Sequence, residues 1–600
     1  MISKMTKYSF ILLSGDKDSF VDRLGDLGLV DIVRSTKPVD EASAKLAGEI
    51  DLVNGLIQGL NKIEIPEGTE PIPYQKEGKD AVRLAGATLM RYSEAESKVK
   101  ALQQEAEDLR VWGSFNTETI QKLAEAGIPI HFHRLSEKQF QPQWEKDFAL
   151  SVINRTKAAV YFVVAGEDSL PGEIPAPSGD HHALKARLAE EEKNLRVMEG
   201  RIAALKMRMP EFEESLRNAL SRLDLYLAGV SATPAAEDTI VTMVGYAPEQ
   251  DDAAVTAALE EAGVFYLKEA AAVEDRPPIH LKNNKFTKMF TVLTDMYGRP
   301  QYNGFDPTPY ISVFFMLFFA FCMGDAGYGL VLTGVGLLLR KAKGAASFAP
   351  LVTVLGVATT VIGFLFHTFF SIDIAQWECM APFQSIFLPS QIAGYDGTMV
   401  LAILVGIFHI CLALVVKTIY ATKNNGFLGS LGTWGWTLLI VGSVVVGGFA
   451  LLGVIDAALT KWILIALGIL SAIGIFFLND LHRNPMVNFG AGLWETYNTA
   501  TGLLGDVLSY LRLYALGLAG AKLGFAFNEL GAKVLGDGAA ANWIFFILII
   551  IIGHTLNVAM AALGAFVHPL RLNFLEFFKN SGYEGGARIY DPVKKVKQND

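Results

Sequence analysis

Residues 309–340 read PYISVFFMLFFAFCMGDAGYGLVLTGVGLLLR, apolar throughout except around GDAGYG at 324–329. As one helix this stretch is over-long for a single crossing of a hydrocarbon core of about 30 Å; as two short helices parted at GDAGYG it is a hairpin. The choice fixes the side on which every later loop falls. With the split, the candidate spans are roughly 309–323, 326–340, 348–371, 398–416, 431–455, 462–479, 491–530 and 541–568, eight in all. If the preceding residues are cytoplasmic, the inner loops hold Arg340, Lys341, Lys343, Lys417, Lys423 and Arg483, and the tail holds Lys579, Arg588, Lys594, Lys595 and Lys597. The outer loops hold only Lys461 and Lys533, and the longest, SIDIAQWECMAPFQSIFLPSQIAGYDG (371–397), has no Lys or Arg. This asymmetry is what the positive-inside rule expects, and a single helix at 309–340 would invert it. The split is therefore preferred. The segment 491–530 is too long to stand upright, so it must tilt strongly or break.

Outward from these spans, the chain of 600 residues divides by composition. Residues 1–305 mix charges of both signs with short apolar patches, 306–580 form the membrane part, and 581–600 a polar tail. The net charge of -10 falls mainly in the first part and argues against a nucleic-acid partner, which needs a basic face. Cys322, Cys379 and Cys411 show no paired spacing, so neither a disulfide framework nor a thiolate metal site is expected. The apolar core of MISKMTKYSFILLSGDKDSF is too short for a signal peptide, which places the first part in the cytoplasm.

Tyr8–Ser35 reads strand, helix, strand, and so does Thr239–Ala270, giving two small α/β lobes. Between them, apolar residues step by three and four: Leu46, Ile50, Val53, Ile57, Leu60; then Tyr92, Ala95, Val99, Leu102, Ala106, Leu109; then Leu195, Met198, Ile202, Leu205, Met209, Phe212, Leu216, Leu220, Leu223. That is the seam of a long antiparallel coiled coil carrying a lobe at each end, bent or unwound at Pro210. The expected fold class is α/β cytoplasmic lobes joined by that coiled coil, followed by an all-α membrane domain of eight transmembrane helices.

The stretch SYLRLYALGLA (509–519) sets Arg512 near the middle of the seventh span. A central arginine costs about 2.5–3.5 kcal/mol on insertion scales, so it faces protein or water and is a functional candidate. The plainer alternative is a structural pairing with Asp506 or Glu495. Gly505, Ser509, Ala515, Ala519, Gly520 and Gly524 form a small-residue surface beside it, suited to static packing or to a helix that slides past. HPLRLNFLEFF (568–578) places His568, Arg571 and Glu576 where the last span emerges; Arg571 alone is better explained as an interface anchor than as a chemical group. Glu495, Asn498, Asp506, His554 and Asn557 are the other polar residues of these two spans. An ion path needs such groups, although each is equally an ordinary interhelical hydrogen bond. No nucleotide-binding loop, zinc motif or calcium loop occurs, so no cofactor or metal is expected and the chain should not hydrolyse a nucleotide by itself.

Five stretches taken together, VGYAPEQD (244–251), LKNNKFTKMFTVLTDMYGRPQYNGFDPTPY (281–310), FFMLFFAFCMGDAGYGL (314–330), SYLRLYALGLA and HPLRLNFLEFF, resemble the a subunit, or subunit I, of prokaryotic V-type and A-type rotary ATPases. The resemblance covers nearly the whole chain. It implies a dumbbell-shaped cytoplasmic stator domain, eight membrane helices with the last two long and tilted, and two ion half-channels facing a rotating ring. Arg512 and Arg571 match the family's two arginines, and Arg512 is the essential one. Implied partners are the c-ring of proteolipid subunits, peripheral-stalk subunits of E/G type, a central-stalk subunit of d/C type and membrane lipid. The chain would be a multi-pass protein of the cell membrane with both termini cytoplasmic. It departs from eukaryotic members at Gly520 and Ala561, where they carry a histidine and a carboxylate. The substitute ion-path candidates Glu495, Asp506, His554, His568 and Glu576 rest on depth and polarity. Alternatives are a secondary transporter or channel with Arg512 as an anion site, and a stator anchor with no ion path.

Overall fold

The computed structural model describes residues 1–600 except 67, 74–78, 114, 116, 157–158, 167–169, 177–180, 236, 238, 343–345, 347, 480–482, 537–539 and 597–600; Lys343 and Lys597 lie outside the described residues. In chain order, the first half holds β1 (Met5–Leu13), α1 (Lys17–Leu27), β2 (Asp31–Ile32), α2 (Glu41–Lys62), α3 (Lys79–Arg110), α4 (Thr117–Glu125), β3 (Ile130–Leu135), α5 (Trp144–Asp147), β4 (Leu150–Arg155), β5 (Val160–Ala165) and β6 (Glu173–Ile174). It continues with α6 (His181–Met207), α7 (Met209–Val230), β7 (Thr233–Ala235), β8 (Ile240–Pro248), α8 (Asp252–Glu261) and β9 (Phe265–Ala270). Two compact units result. One contains Met1–Ile11, Leu29–Asp31 and Val244–Pro592; the other contains Leu12–Gly28, Ile32–Met243 and Val593–Asp600.

In the second unit α2 packs on α7 and α3 on α6, burying Val53, Leu56, Leu60, Ala85, Ile202, Leu205 and Phe212. Asp40 starts α2 by accepting from Ser43 N at 2.8 Å, a reciprocal cap. Pro210 does interrupt the third run: α6 stops at Met207, Arg208 leaves the helical region, and α7 begins with the proline in its first turn, where a missing N–H costs nothing. Leu220, expected in the seam, is 46% exposed, and the neighbouring Ala219 is buried instead, because the new helix restarts the phase. The stretches between the long helices form an antiparallel sheet in the order β4–β5–β3–β6. Val160, Phe162 and Val164 of β5 point to its core at period two.

The two strand-helix-strand repeats do not make separate lobes. Their strands join one sheet in the order β2–β8–β1–β9, with β1 antiparallel to β9 from Thr6↔Ala270 to Ile11↔Phe265. A two-stranded unit alone leaves its strand edges unpaired, and sharing a sheet satisfies them. In the first unit Lys7 Nζ lies 2.6 Å from Asp275, both side chains 23% exposed. The bond from Lys7 holds the Asp275 carboxyl below its ordinary value, and the same bond raises Lys7. The pair's stabilisation is therefore present between those two ranges; it is lost as pH falls through the lowered pKa of Asp275 and as pH rises through the raised pKa of Lys7. Lys7→Met should cost about 0.5–1 kcal/mol near neutral pH, and its thermal midpoint should converge on wild type in acid. A deficit that persisted in acid well below the ordinary carboxylate range would show that the ion pair is not its cause.

The tail is not a free segment as far as Pro592. Arg588 pairs with Asp31 at 3.1 Å, Tyr590 donates to Leu29 O at 2.6 Å, and Ile279 N donates to Arg588 O at 2.7 Å. These backbone and charge partners draw residues 581–592 into the first unit, so the divisions at 305/306 and 580/581 are not boundaries between compact units.

The rest of the first unit is helical. α9 (Lys285–Met289) and α10 (Thr291–Tyr297) lead to α11 (Thr308–Met323), α12 (Ala326–Leu339) and α13 (Ala349–Leu365); two small hairpins, β10 (Thr368–Phe369) with β11 (Ile372–Asp373) and β12 (Gln391–Ile392) with β13 (Tyr395–Asp396), precede α14 (Gly397–Gly429). Then come α15 (Leu431–Leu451), α16 (Ala457–Phe477), α17 (Pro485–Ser509), α18 (Leu511–Leu535), α19 (Ala540–Arg571), a π-helical turn at Leu572–Phe577 and α20 (Phe578–Ser581). Among the described residues five helical stretches are long and apolar enough to cross a membrane, Gly397–Gly429, Leu431–Leu451, Ala457–Phe477, Pro485–Leu535 and Asn542–Ser581; α11, α12 and α13 are shorter apolar helices.

The 309–340 stretch is two helices. Gly324 ends α11 at φ 54, a left-handed conformation suited to glycine, and Asp325 caps α12 by accepting from Tyr328 N at 3.1 Å. α12 then lies along α13 through paired small residues. A Cβ on Gly329, Gly336 or Gly356 would meet Thr360, Thr353 or Thr333, and one on Gly363 would run into the backbone of Asp325 and Ala326. Gly363→Val should therefore destabilise this pair by at least the 1–3 kcal/mol typical of overpacking, read as a lowered thermal midpoint in detergent. Gly334→Ala, at an open position, should not.

Two span limits differ from the sequence reading. α13 stops at Leu365, and residues 366–371 turn, with His367, Phe370 and Ser371 at positive φ. α14 continues to Gly429, so Lys417 and Lys423 lie on a helix and not in a loop.

Candidate functional site

The long segment breaks at Tyr510. Its N–H reaches Val507 O at 3.1 Å and its O accepts from Leu513 N at 3.0 Å, a tightened turn between α17 and α18. The side chain is fully buried: it packs on Gly406 and Phe318, and its hydroxyl is hydrogen-bonded to His409 Nδ1 at 2.9 Å. An anchored aromatic thus fixes the backbone two residues before Arg512.

Arg512 is half-buried, and its Nη1 has no hydrogen-bond partner among the described residues. The two carboxylates that could have paired with it are engaged elsewhere. Asp506 accepts from Lys579 at 3.2 Å and from Asn580 at 2.8 Å, and Glu495 accepts from Asn479 at 3.1 Å. The plain structural pairing of Arg512 is thereby removed. Instead, His568 and Glu576 lie in the field of Arg512, each with one buried polar atom unpartnered, Nδ1 and Oε2 respectively. Glu576 sits in the π-helical turn that follows Pro569 and Arg571, a local widening frequent at functional sites. Arg571 is exposed. Glu495 lies apart from this group, on the α16–α17 side.

His554 belongs to a second cluster farther along the α18–α19 seam. Its Nδ1 is 2.8 Å from Tyr328 Oη and its Nε2 is 2.9 Å from Asn528 Oδ1. Asn557 donates to Tyr328 Oη at 2.8 Å and to Gly520 O at 2.9 Å, so Gly520 offers its carbonyl where a side chain is missing. Ser371 Oγ lies 3.4 Å from Tyr328 Oη. Asp325 holds the turn by accepting from Phe370 N at 2.9 Å and Ser371 N at 2.6 Å. Gly524, read as part of the small-residue surface, is buried against Ser371 and Asn557, the static-packing outcome, whereas Gly505, Ala515 and Ala519 are exposed. Between the clusters the seam is apolar, with Leu513, Leu516, Ala561, Ala562 and Ala565. Eleven helical steps lead from Asn557 to His568, about 16 Å along the axis.

Beside the second cluster is a cavity of about 310 Å³ lined by Phe321, His367, Ser371, Asp373, Asp396 and Lys522 among others. His367 Nδ1 is 2.9 Å from Asp373. The sequence reading missed Tyr328, Ser371, Asn528 and Lys522, since single hydroxyls and amides in apolar runs carry little signal; Tyr328 was marked only by its place in GDAGYG. Among the described residues no group of three or more His, Cys, Asp or Glu is placed to hold a metal.

Residues 230–380 match the family described as the V-type ATPase 116kDa subunit family. The A-type ATP synthase subunit I of Methanocaldococcus jannaschii is 33% identical over 361 residues, 54% of this chain and 50% of that one. The V-type ATP synthase subunit I of Borreliella burgdorferi is 24% identical over 631 residues and is covered, like this chain, in full. The chain is thus similar in sequence to subunit I of V-type and A-type ATP synthases. It spans about half the length of the Methanocaldococcus relative. Among solved structures, the crystal structure of the cytoplasmic N-terminal domain of subunit I, homolog of subunit a, of V-ATPase matches at 13% identity and a TM-score of 0.21, over 44% of this chain and all of that one. The stretch matched to the V-type ATPase 116kDa subunit family takes in Asp325, Tyr328 and Ser371 and ends before Arg512.

Proposed function

We propose that this chain is the stator membrane subunit of a rotary V/A-type ATPase, offering two ion half-channels to a rotating c-ring and coupling ion passage to ATP hydrolysis or synthesis. The observation that carries the reading is the half-buried Arg512 guanidinium, unpaired at Nη1 among the described residues, beside one polar cluster and parted from a second by apolar seam. A fixed guanidinium is charged at every relevant pH and favours the ionised form of a carboxylate that comes beside it. A ring carboxylate then releases its ion at Arg512 and takes up another beyond it, while the charge blocks direct passage between the clusters. In this reading His568, Glu576 and Asp506 line the inner path, His554 the outer, Arg571 supports the crossing, and Glu495 lies at the inner margin.

The five long apolar helices together with α11, α12 and α13 make eight spans of a multi-pass cell-membrane protein with cytoplasmic termini. The paired helices α2, α3, α6 and α7 act as an antiparallel coiled coil toward peripheral-stalk subunits of E/G type and a central-stalk subunit of d/C type. The test is ATP-driven ion uptake by the complex in proteoliposomes with Arg512 replaced by lysine; uptake at the wild-type level overturns the reading.

A further inference from the structure

The Ala326 end of α12, the Leu365 end of α13 and the segment 374–386 enclose a second cavity, of about 670 Å³, lined by Leu330, Val361, Phe364, Ile374, Trp377 and Ile386 among others. Packing holds the covering segment down: the Phe364 ring meets Phe383 and Phe387 with centroids 5.8 and 5.4 Å away, and Leu388 N donates to Leu365 O at 2.9 Å. The hydroxyl on the wall, Thr360 Oγ1, donates back to Gly356 O at 2.9 Å. The interior therefore asks for no polar partner. A polar solute would give up its water there without a compensating bond, whereas an apolar space left empty forfeits contacts along every wall.

The cavity is continuous with an apolar flank. Leu330, Val331, Val335 and Leu338 of α12 and Val357 and Val361 of α13 are each 42–68% exposed, and Leu330 and Val361 also line the cavity. Read as spans, α12 and α13 turn this flank to hydrocarbon. Trp377, 42% exposed and on the cavity wall, is a residue type that settles at the headgroup level. The segment 371–397 holds Asp373, Glu378 and Asp396 and no Lys or Arg. Asp373 is paired with His367 and Asp396 caps α14 through Thr398 N. Glu378, next to Trp377, is exposed and makes no ion pair among the described residues.

We propose that this cavity is a binding site for one phospholipid of the outer leaflet, with an acyl chain between α12, α13 and the segment 374–386 and an ethanolamine headgroup at the rim. The site rests on the reading of α12 and α13 as membrane spans with residues 371–397 on the outer side. An acyl chain supplies the contacts that the walls lack and enters from the flank without crossing a polar barrier. The headgroup follows from charge: the ammonium of ethanolamine meets the Glu378 carboxylate, while a net anionic head finds no cation on this segment and three carboxylates against it. The bound lipid acts as a prop that keeps the outer segment seated on the helix pair.

The test uses the full chain, in the complex with which it purifies, in vesicles of phosphatidylethanolamine and phosphatidylglycerol in equal amounts. Each lipid in turn carries a diazirine near the end of one acyl chain, and adducts are located by peptide mass spectrometry. Labelling of residues 326–330 and 374–386 by the ethanolamine probe should exceed that of α16, an apolar helix that does not line the cavity, by about tenfold, the factor that roughly two more buried methylene groups give. It should exceed labelling by the glycerol probe about threefold, as an exposed ion pair allows. Val361→Trp, which places bulk at the mouth from an exposed position, should bring cavity labelling down to that of α16, and Glu378→Lys should reverse the headgroup preference. Should Val361→Trp fail to assemble, Leu330→Trp blocks the mouth from α12. Wild-type labelling no stronger at the cavity than on α16, or labelling unchanged by the tryptophan variants, overturns the site. Equal labelling by the two probes overturns the headgroup assignment. Adducts absent from α12, α13 and α16 alike would overturn the membrane reading itself, a result distinct from adducts on α16 with none at the cavity, which overturns the lipid site alone.

Discussion

Arg512→Lys should reduce ATP-driven ion uptake by the reconstituted complex by about 100-fold or more, the loss typical when a preorganised charge-stabilising donor is removed, while the complex still assembles. The substitution keeps the positive charge, so any role as a simple anchor or counter-ion survives it. What it removes is the planar, weakly hydrated fork. An ammonium on a flexible stem is a strongly hydrated point charge that brings water with it and offers no second N–H to a carboxylate. Arg512 is suited to lose function this way because Asp506 and Glu495 are satisfied by Lys579, Asn580 and Asn479, and Nη1 is left without a partner. Dye uptake and ATP hydrolysis measured on the same vesicles separate loss of transport from loss of assembly. Normal pumping would leave the anchor alternative standing.

Tyr510→Ala should destabilise the first unit by about 3–5 kcal/mol, the range for truncating a buried aromatic, and lower pumping with it. The ring is fully buried between Phe318, His409 and the bare face of Gly406, so alanine leaves a cavity beside the α17–α18 break and frees the backbone that aims Arg512. Tyr510→Phe keeps the ring and removes only the bond to His409 Nδ1, worth about 1 kcal/mol; it should stay close to wild type in pumping. Thermal unfolding in detergent measures the first effect and proteoliposome uptake the second. An alanine variant as stable as wild type would show that the break is held by the helices alone.

The two results would separate what local pattern encodes from what packing adds. The GDAGYG break was legible because Gly324 and Asp325 act locally, one through a conformation and the other through a cap. Pro210 was legible for the same reason. The exposed Leu220 was not, since a restarted helix changes phase in a way that periodicity cannot see. Nor was the shared sheet of β1, β2, β8 and β9, because strand partners distant in sequence leave no mark on the local pattern.

At the site the same division holds. Arg512, Arg571, His568, Glu576, Asp506 and His554 stood out because charge or titratable nitrogen in an apolar run is costly and therefore conspicuous. Their grouping did not. His554 joined Tyr328, Ser371 and Asn528, while Glu495 fell apart from the rest. By itself the sequence determined where the apolar stretches fall, the helix breaks at GDAGYG and Pro210, and the identity of the expensive charges, which are properties of neighbouring residues. Only the tertiary structure decided that Arg512 lacks a carboxylate partner among the described residues and that a histidine, a tyrosine and a serine from three separate segments form one hydrogen-bonded line. Pairing depends on which groups folding brings within about 3 Å, and distance along the chain does not record that.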